Sequence, residues 1–175
     1  MNQCTHRQTL GELLHRSAAR TPNKLAIACG ETRWSYAEFD RISDRVAAGL
    51  AQRGVIKGSR VAILARNSHA FVALRFALAR LGAVLVPINF MLNATEVAYI
   101  LRHAGATVLA TDSALAPLAR AAAARDTAVR DMVWLPAEDP SEPQPDMIGF
   151  DAVAACDAAP VLRKNAIRLG KAALR

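Results

Sequence analysis

Residues 60–112 read RVAILARNSHAFVALRFALARLGAVLVPINFMLNATEVAYILRHAGATVLATD, and their alternation of apolar runs with amphipathic stretches decides the fold. Val61 to Ala65 is unbroken by polar residues, the composition of a parallel strand covered on both faces. From about Ser68 to Leu81, Phe71, Leu74, Leu78 and Leu81 fall on one side of a predicted helix. Ala83 to Ile88 reads as the next strand. Asn93 and Glu96 have the spacing of a capping box and open a helix with Val97, Ile100, Leu101 and Ala104 inward. Thr107 to Ala110 is the strand after it.

Upstream, Gly54 stops a helix, and Lys57 with Gly58 turns the chain into the strand at Val61. That helix starts at a second capping box, Ser35 and Glu38, and carries Tyr36, Phe39, Ile42, Val46 and Leu50 on one stripe. Asp40, Arg41, Asp44 and Arg45 are expected on its outer face. Leu25 to Cys29 and Thr32 to Trp34 read as an antiparallel hairpin about Gly30 and Glu31, where glycine supplies a positive φ. Thr9 and Glu12 cap a first helix that runs to about Arg20, and Pro22 marks its end. Downstream, Ser113 is expected to cap an alanine-rich helix to Arg125, and Met132 to Leu135 to return as a strand.

Repeated strand–helix alternation predicts an α/β fold with a mainly parallel sheet and right-handed crossovers. We assign residues 1–135 to one α/β subdomain. Residues 136–160 are read as a proline-rich loop and a short helix from Phe150, because Pro136, Pro140, Pro143 and Pro145 exclude a central strand. Residues 161–175 form a basic tail without a clear period.

The chain has 175 residues, 53% hydrophobic and 21% charged, which suits one packed core. Its longest apolar stretch, Leu81 to Leu92, is interrupted by Pro87 and Asn89 and falls short of the ~20 residues of a spanning helix. No transmembrane segment or secretory signal is expected, and the cytoplasm is the expected compartment. Cys4, Cys29 and Cys156 are too far apart for a paired zinc site or a disulfide framework. The net charge is +7, but residues 161–175 hold Arg163, Lys164, Arg168, Lys171 and Arg175 and no acid, which leaves +2 for residues 1–160. A body so nearly neutral lacks the basic face that nucleic acid requires, and none is expected as a partner.

Chemical motifs are sparse. Gly54-Val55-Ile56-Lys57-Gly58 follows a helix and precedes a strand, the reverse of the order in a dinucleotide fingerprint. Gly170-Lys171 lacks the upstream glycine of a phosphate loop. Ser68 has no Gly-x-Ser-x-Gly elbow around it. His69, at a strand-to-helix turn, is the one histidine placed where α/β sites usually form, and local hydrogen bonding is its expected role.

Gly30-Glu31, Trp34 to Asp40, Arg45-Val46-Ala47 and Gly49-Leu50 resemble the opening of acyl-CoA synthetases and their adenylate-forming relatives. Lys57 to Leu64, Asn67-Ser68, Phe71, Phe76-Ala77, Gly82-Ala83-Val84, Val86 to Asn89, Glu96-Val97 and Ala104-Gly105-Ala106 continue in the family's order, over roughly residues 9–155. The resemblance implies a partial amino-terminal layer of the large domain. It also implies a reaction in which a fatty or related carboxylic acid is activated by ATP with Mg²⁺ and passed to CoA. The family's Ser/Thr/Gly-rich loop ending in Pro-Lys-Gly, its aromatic-Gly-x-Thr-Glu motif, its adenosine-binding aspartate and its carboxy-terminal lysine have no counterpart here. The chain alone is therefore expected to be inactive, with no catalytic residue assigned. It is also expected to self-associate through apolar surface left uncovered. The alternative is a non-catalytic α/β module that binds a partner chain. The tail after Pro160 departs from the family and reads equally as a shifted or truncated reading frame or as a basic linker. The resemblance also places Asn89, Phe90 and Met91 beside the entry path of the CoA pantetheine arm, the alternative being that Phe90 and Met91 are core packing residues.

Overall fold

The structure is a computed structural model and describes residues 10–137 and 142–156. In chain order its elements are α1 (Leu10–Arg20), β1 (Leu25–Cys29), β2 (Thr32–Ser35), α2 (Tyr36–Gln52), β3 (Arg60–Leu64), α3 (His69–Leu81), β4 (Val84–Pro87), α4 (Ala94–Ala104), β5 (Val108–Thr111), α5 (Ala116–Ala123), β6 (Asp131–Trp134), β7 (Ile148–Gly149) and α6 (Phe150–Ala154). β1 and β2 form a separate antiparallel hairpin; the other five strands form a parallel sheet in the order β4-β3-β5-β6-β7. The basic tail and the start of α1 at Thr9 lie outside the described residues.

β3 shows why its sequence is continuously apolar. Val61 and Ile63 enter a core with Val46, Leu50, Leu74 and Leu78 of α2 and α3. Ala62 and Leu64 enter the opposite core with Val97, Leu101, Ala119 and Ala122 of α4 and α5. Alternate side chains thus meet different helical layers. α3 leads from β3 to one side and α4 returns past β3 to β5, so right-handed connections put the two helices on opposite faces.

The predicted capping boxes form at both sites, Ser35 with Glu38 and Asn93 with Glu96. Edge strand β4 carries a built-in block. Val84 N–H donates to Ser59 O at 2.8 Å and Ile88 N–H to Ile63 O at 2.9 Å, so even-numbered positions face β3. Pro87 falls on the open side, where its missing N–H removes a donor from the exposed edge.

Three expectations are corrected. Ser113 does not cap α5: the helix starts at Ala116 without a side-chain cap, and Leu115 N–H instead donates to Asp112 Oδ1 at 2.9 Å. Asp40 and Asp44 do not lie on an outer, solvated face of α2. Their side chains are 13% and 17% exposed and pair with Arg80, whose side chain is 1% exposed. Finally, a strand, β7, precedes the short helix expected at Phe150. It pairs Ile148 with Val133 and Gly149 with Trp134, and two residues are too few to give a sequence period.

α6 seats on α2 at Gly49, where an added Cβ would lie 2.0 Å from Val153 O. Only a residue without a side chain permits that approach. Opposite, Arg120 of α5 holds Asp146 through Nε–Oδ2 at 2.6 Å and Nη2–Oδ1 at 2.5 Å, fastening the chain just before β7. This hydrogen bond holds the Asp146 carboxyl below its ordinary range.

Candidate functional site

In open parallel sheets, ligands bind beyond the carboxyl ends of strands whose outgoing connections diverge. Here those strands are β3 and β5, since α3 and α5 leave them on opposite faces. The crevice between them is closed from within. Asp112, 2% exposed, accepts Arg66 N–H at 2.7 Å on one oxygen and Leu115 N–H on the other. Those turns, 65–68 and 112–115, contain no glycine, and a buried carboxylate stands where a phosphate would need donors. That crevice therefore does not fit a nucleoside triphosphate. Nor do three or more His, Cys, Asp or Glu side chains come together among the described residues to hold a metal ion, so no Mg²⁺ position is assigned. Sequence reasoning passed over Asp112, although its place directly after a predicted strand was the available signal.

Asn89, Phe90 and Met91 sit together in the turn after β4. Asn89 Oδ1 accepts Met91 N–H at 3.0 Å and Asn89 O accepts Leu92 N–H at 3.3 Å, which folds the turn on itself just ahead of the α4 cap. Phe90 is 50% and Met91 82% exposed. Neither is a core packing residue; the turn offers two large apolar side chains to whatever lies beyond β4.

His69 lies apart from that turn. Residues 89–91 lead into α4, whereas His69 opens α3 and faces the hairpin and α6. Its ring meets Trp34 edge-on at 5.0 Å and Phe150 at 6.5 Å. Burial among them lowers its pKa, with Asp151 opposing. Nδ1 has no hydrogen-bond partner among the described residues. Ser68 accepts Phe71 N–H at 3.2 Å as the α3 cap. Beside them a cleft of about 510 Å³ separates β1 from α3, lined in part by Ala28, Cys29, His69, Val72 and Arg75.

No described helix is long and apolar enough to cross a membrane. The family model described as AMP-binding enzyme matches residues 14–165. The long-chain-fatty-acid–CoA ligase FadD13 of Mycobacterium tuberculosis is 34% identical over 149 residues, which cover 84% of this chain and 27% of that protein. A 2,3-dihydroxybenzoate-AMP ligase of Bacillus subtilis is 38% identical over 105 residues, 60% of this chain and 20% of that one. Among solved structures, the N-terminal domain of FACL13 from Mycobacterium tuberculosis superposes with a TM-score of 0.71 at 32% identity, covering 85% of this chain and 35% of that one. An anthranilate CoA ligase solved with anthranoyl-AMP shares the fold, with a TM-score of 0.80 at 23% identity over 89% of this chain and 30% of that one. The chain thus spans between about a fifth and a quarter of the length of these two curated relatives.

Proposed function

The chain belongs to the AMP-binding enzyme family, and from that premise we propose that it is the amino-terminal part of an acid–thiol ligase, inactive by itself. The complete enzyme would activate a fatty or related carboxylic acid with ATP and pass the acyl group to CoA. The observation that carries this reading is the match to a fatty-acid–CoA ligase along 84% of the chain. ATP and its Mg²⁺ would be held by residues beyond those described, because Asp112 closes the crevice between β3 and β5. When bound, ATP supplies the adenylate leaving group; the part played by this chain is to shape the turn at residues 89–91.

Within that reading, Asn89 fixes the turn and Phe90 and Met91 border the path of the pantetheine arm. Their exposure supports this, since apolar side chains held in solvent gain by covering a flexible, partly apolar ligand. With residues 60–112 grafted into a complete synthetase, Phe90→Ala and Asn89→Ala are expected to raise the KM for CoA several-fold. Acid-dependent pyrophosphate exchange should stay nearly unchanged, because binding would be lost in the second half-reaction alone. Equal loss in both half-reactions would make the turn structural.

A further inference from the structure

β3 and β4 lie side by side with Ile63 opposite Pro87, and Ile88 N–H donates to Ile63 O at 2.9 Å. Carried past the strand ends, this register sets Ala65 level with Asn89 and Arg66 level with Phe90. Adjacent strands are about 4.8 Å apart, so Arg66 leaves β3 directly beside the turn that follows β4. Alternation fixes the face. Ile63 and Ala65 enter the core against α2 and α3, whereas Leu64 enters the one against α4 and α5. The next step of that alternation sends Arg66 to the side of α4, into which the turn at residues 89–91 leads.

Arg66 is anchored through its main chain and not through its side chain. Its N–H donates to the buried carboxylate of Asp112 at 2.7 Å, and the second oxygen of that carboxylate accepts Leu115 N–H. Both Asp112 oxygens are thus engaged by the backbone. Arg66 itself is exposed. Among the described residues its guanidinium makes no ion pair or hydrogen bond, unlike those of Arg16, Arg80 and Arg120, which hold carboxylates. A fixed root and an unpaired cation, set beside the exposed Phe90 and Met91, complement a ligand with an anionic end and a flexible, partly apolar arm. A guanidinium suits a phosphate, which it meets through parallel N–H donors.

We propose that Arg66 binds a phosphate of CoA while Phe90 and Met91 cover the pantetheine arm. The inference rests on the reading of residues 89–91 as the border of the pantetheine path, and it adds the group that tells CoA from its phosphate-free analogue, pantetheine. Arg66 acts on the phosphate end, and the turn acts on the arm that both thiols share.

The test measures kcat/KM for CoA and for pantetheine in the complete synthetase carrying residues 60–112. Arg66→Ala is expected to lower kcat/KM for CoA roughly tenfold, the effect of losing a charge-assisted contact, and to leave that for pantetheine nearly unchanged. Arg66→Lys, which keeps the charge, should recover part of the loss, and added salt should narrow the gap between parent and Arg66→Ala with CoA. Phe90→Ala should lower kcat/KM for both thiols. An equal loss of Arg66→Ala with both thiols, or no loss with either, overturns the assignment. A raised KM for ATP in acid-dependent pyrophosphate exchange would overturn it too, by giving the arginine to the nucleotide of the first half-reaction. The two readings fail separately: a Phe90 effect without CoA-selective loss in Arg66→Ala leaves only the turn, and CoA-selective loss without a Phe90 effect leaves only the phosphate contact.

Discussion

Arg80 of α3 reaches into α2 and donates to Asp40 twice, through Nη1 to the main-chain carbonyl at 2.7 Å and through Nη2 to the carboxylate. Its Nη1 also lies 2.6 Å from Asp44 Oδ1, and His15 of α1 meets the other carboxylate oxygen of Asp40 at 3.0 Å. One buried guanidinium therefore ties α3 to α2, and Asp40 carries the link on to α1 through His15. Gly11 of α1 makes room for it, since a Cβ there would lie 2.8 Å from Arg80 Cγ.

Replacing Arg80 with methionine keeps the aliphatic stem and removes the guanidinium that pairs with two partly buried carboxylates. Breaking a buried pair from one side costs about 3–5 kcal/mol; residual access of water to Asp40 and Asp44 lowers the expectation to about 2–4 kcal/mol. At about 2–4 °C per kcal/mol for a domain of this size, thermal melting should fall by roughly 5–15 °C. Asp40→Asn, which keeps an acceptor for Arg80, should fall by less. A melting temperature unchanged in the Arg80 variant would show that hydrophobic packing alone holds these helices.

Gly49→Ala gives a prediction in which the sign decides. In an ordinary helix the change stabilises by about 1 kcal/mol. Here the new methyl would meet Val153 O at 2.0 Å, so overpacking should destabilise by about 1–3 kcal/mol. Hydrogen exchange should show residues 148–154 losing protection first. A more stable variant would mean that α6 does not seat on α2 in this way.

His69 predicts a pH dependence. Burial between Trp34 and Phe150 lowers its folded pKa below the unfolded value, so the unfolded chain binds the proton more readily. The contribution of neutral His69 is complete above the unfolded pKa of about 6.5. It is lost as pH falls through the folded pKa. The melting temperature of the parent chain should therefore drop more between pH 7.5 and 5 than that of His69→Gln. Parallel curves would show that the ring is freely solvated.

Periodicity carried the parallel sheet because each of its longer strands is an apolar run and each connecting helix keeps its stripe. The boxes at Ser35 and Asn93 marked helix starts to the residue, since capping is local chemistry. What stayed hidden was long-range. Arg80 occupies a helix position that reads as solvent-facing until Asp40 is placed opposite it, forty residues away in sequence. Asp112 reads as a loop residue until β3 and β5 are neighbours. The turn at 89–91 became a candidate through resemblance alone; the exposure of Phe90 and Met91 emerged only from the fold.

The most direct test replaces the matched segment of FadD13 with residues 10–156 of this chain and measures fatty-acid-dependent pyrophosphate release and acyl-CoA formation, beside the isolated chain. The account predicts that the chimera makes acyl-CoA while the isolated chain releases no pyrophosphate above background. A folded chimera unable to form adenylate with any acid, or acid-dependent release by the isolated chain, would contradict it.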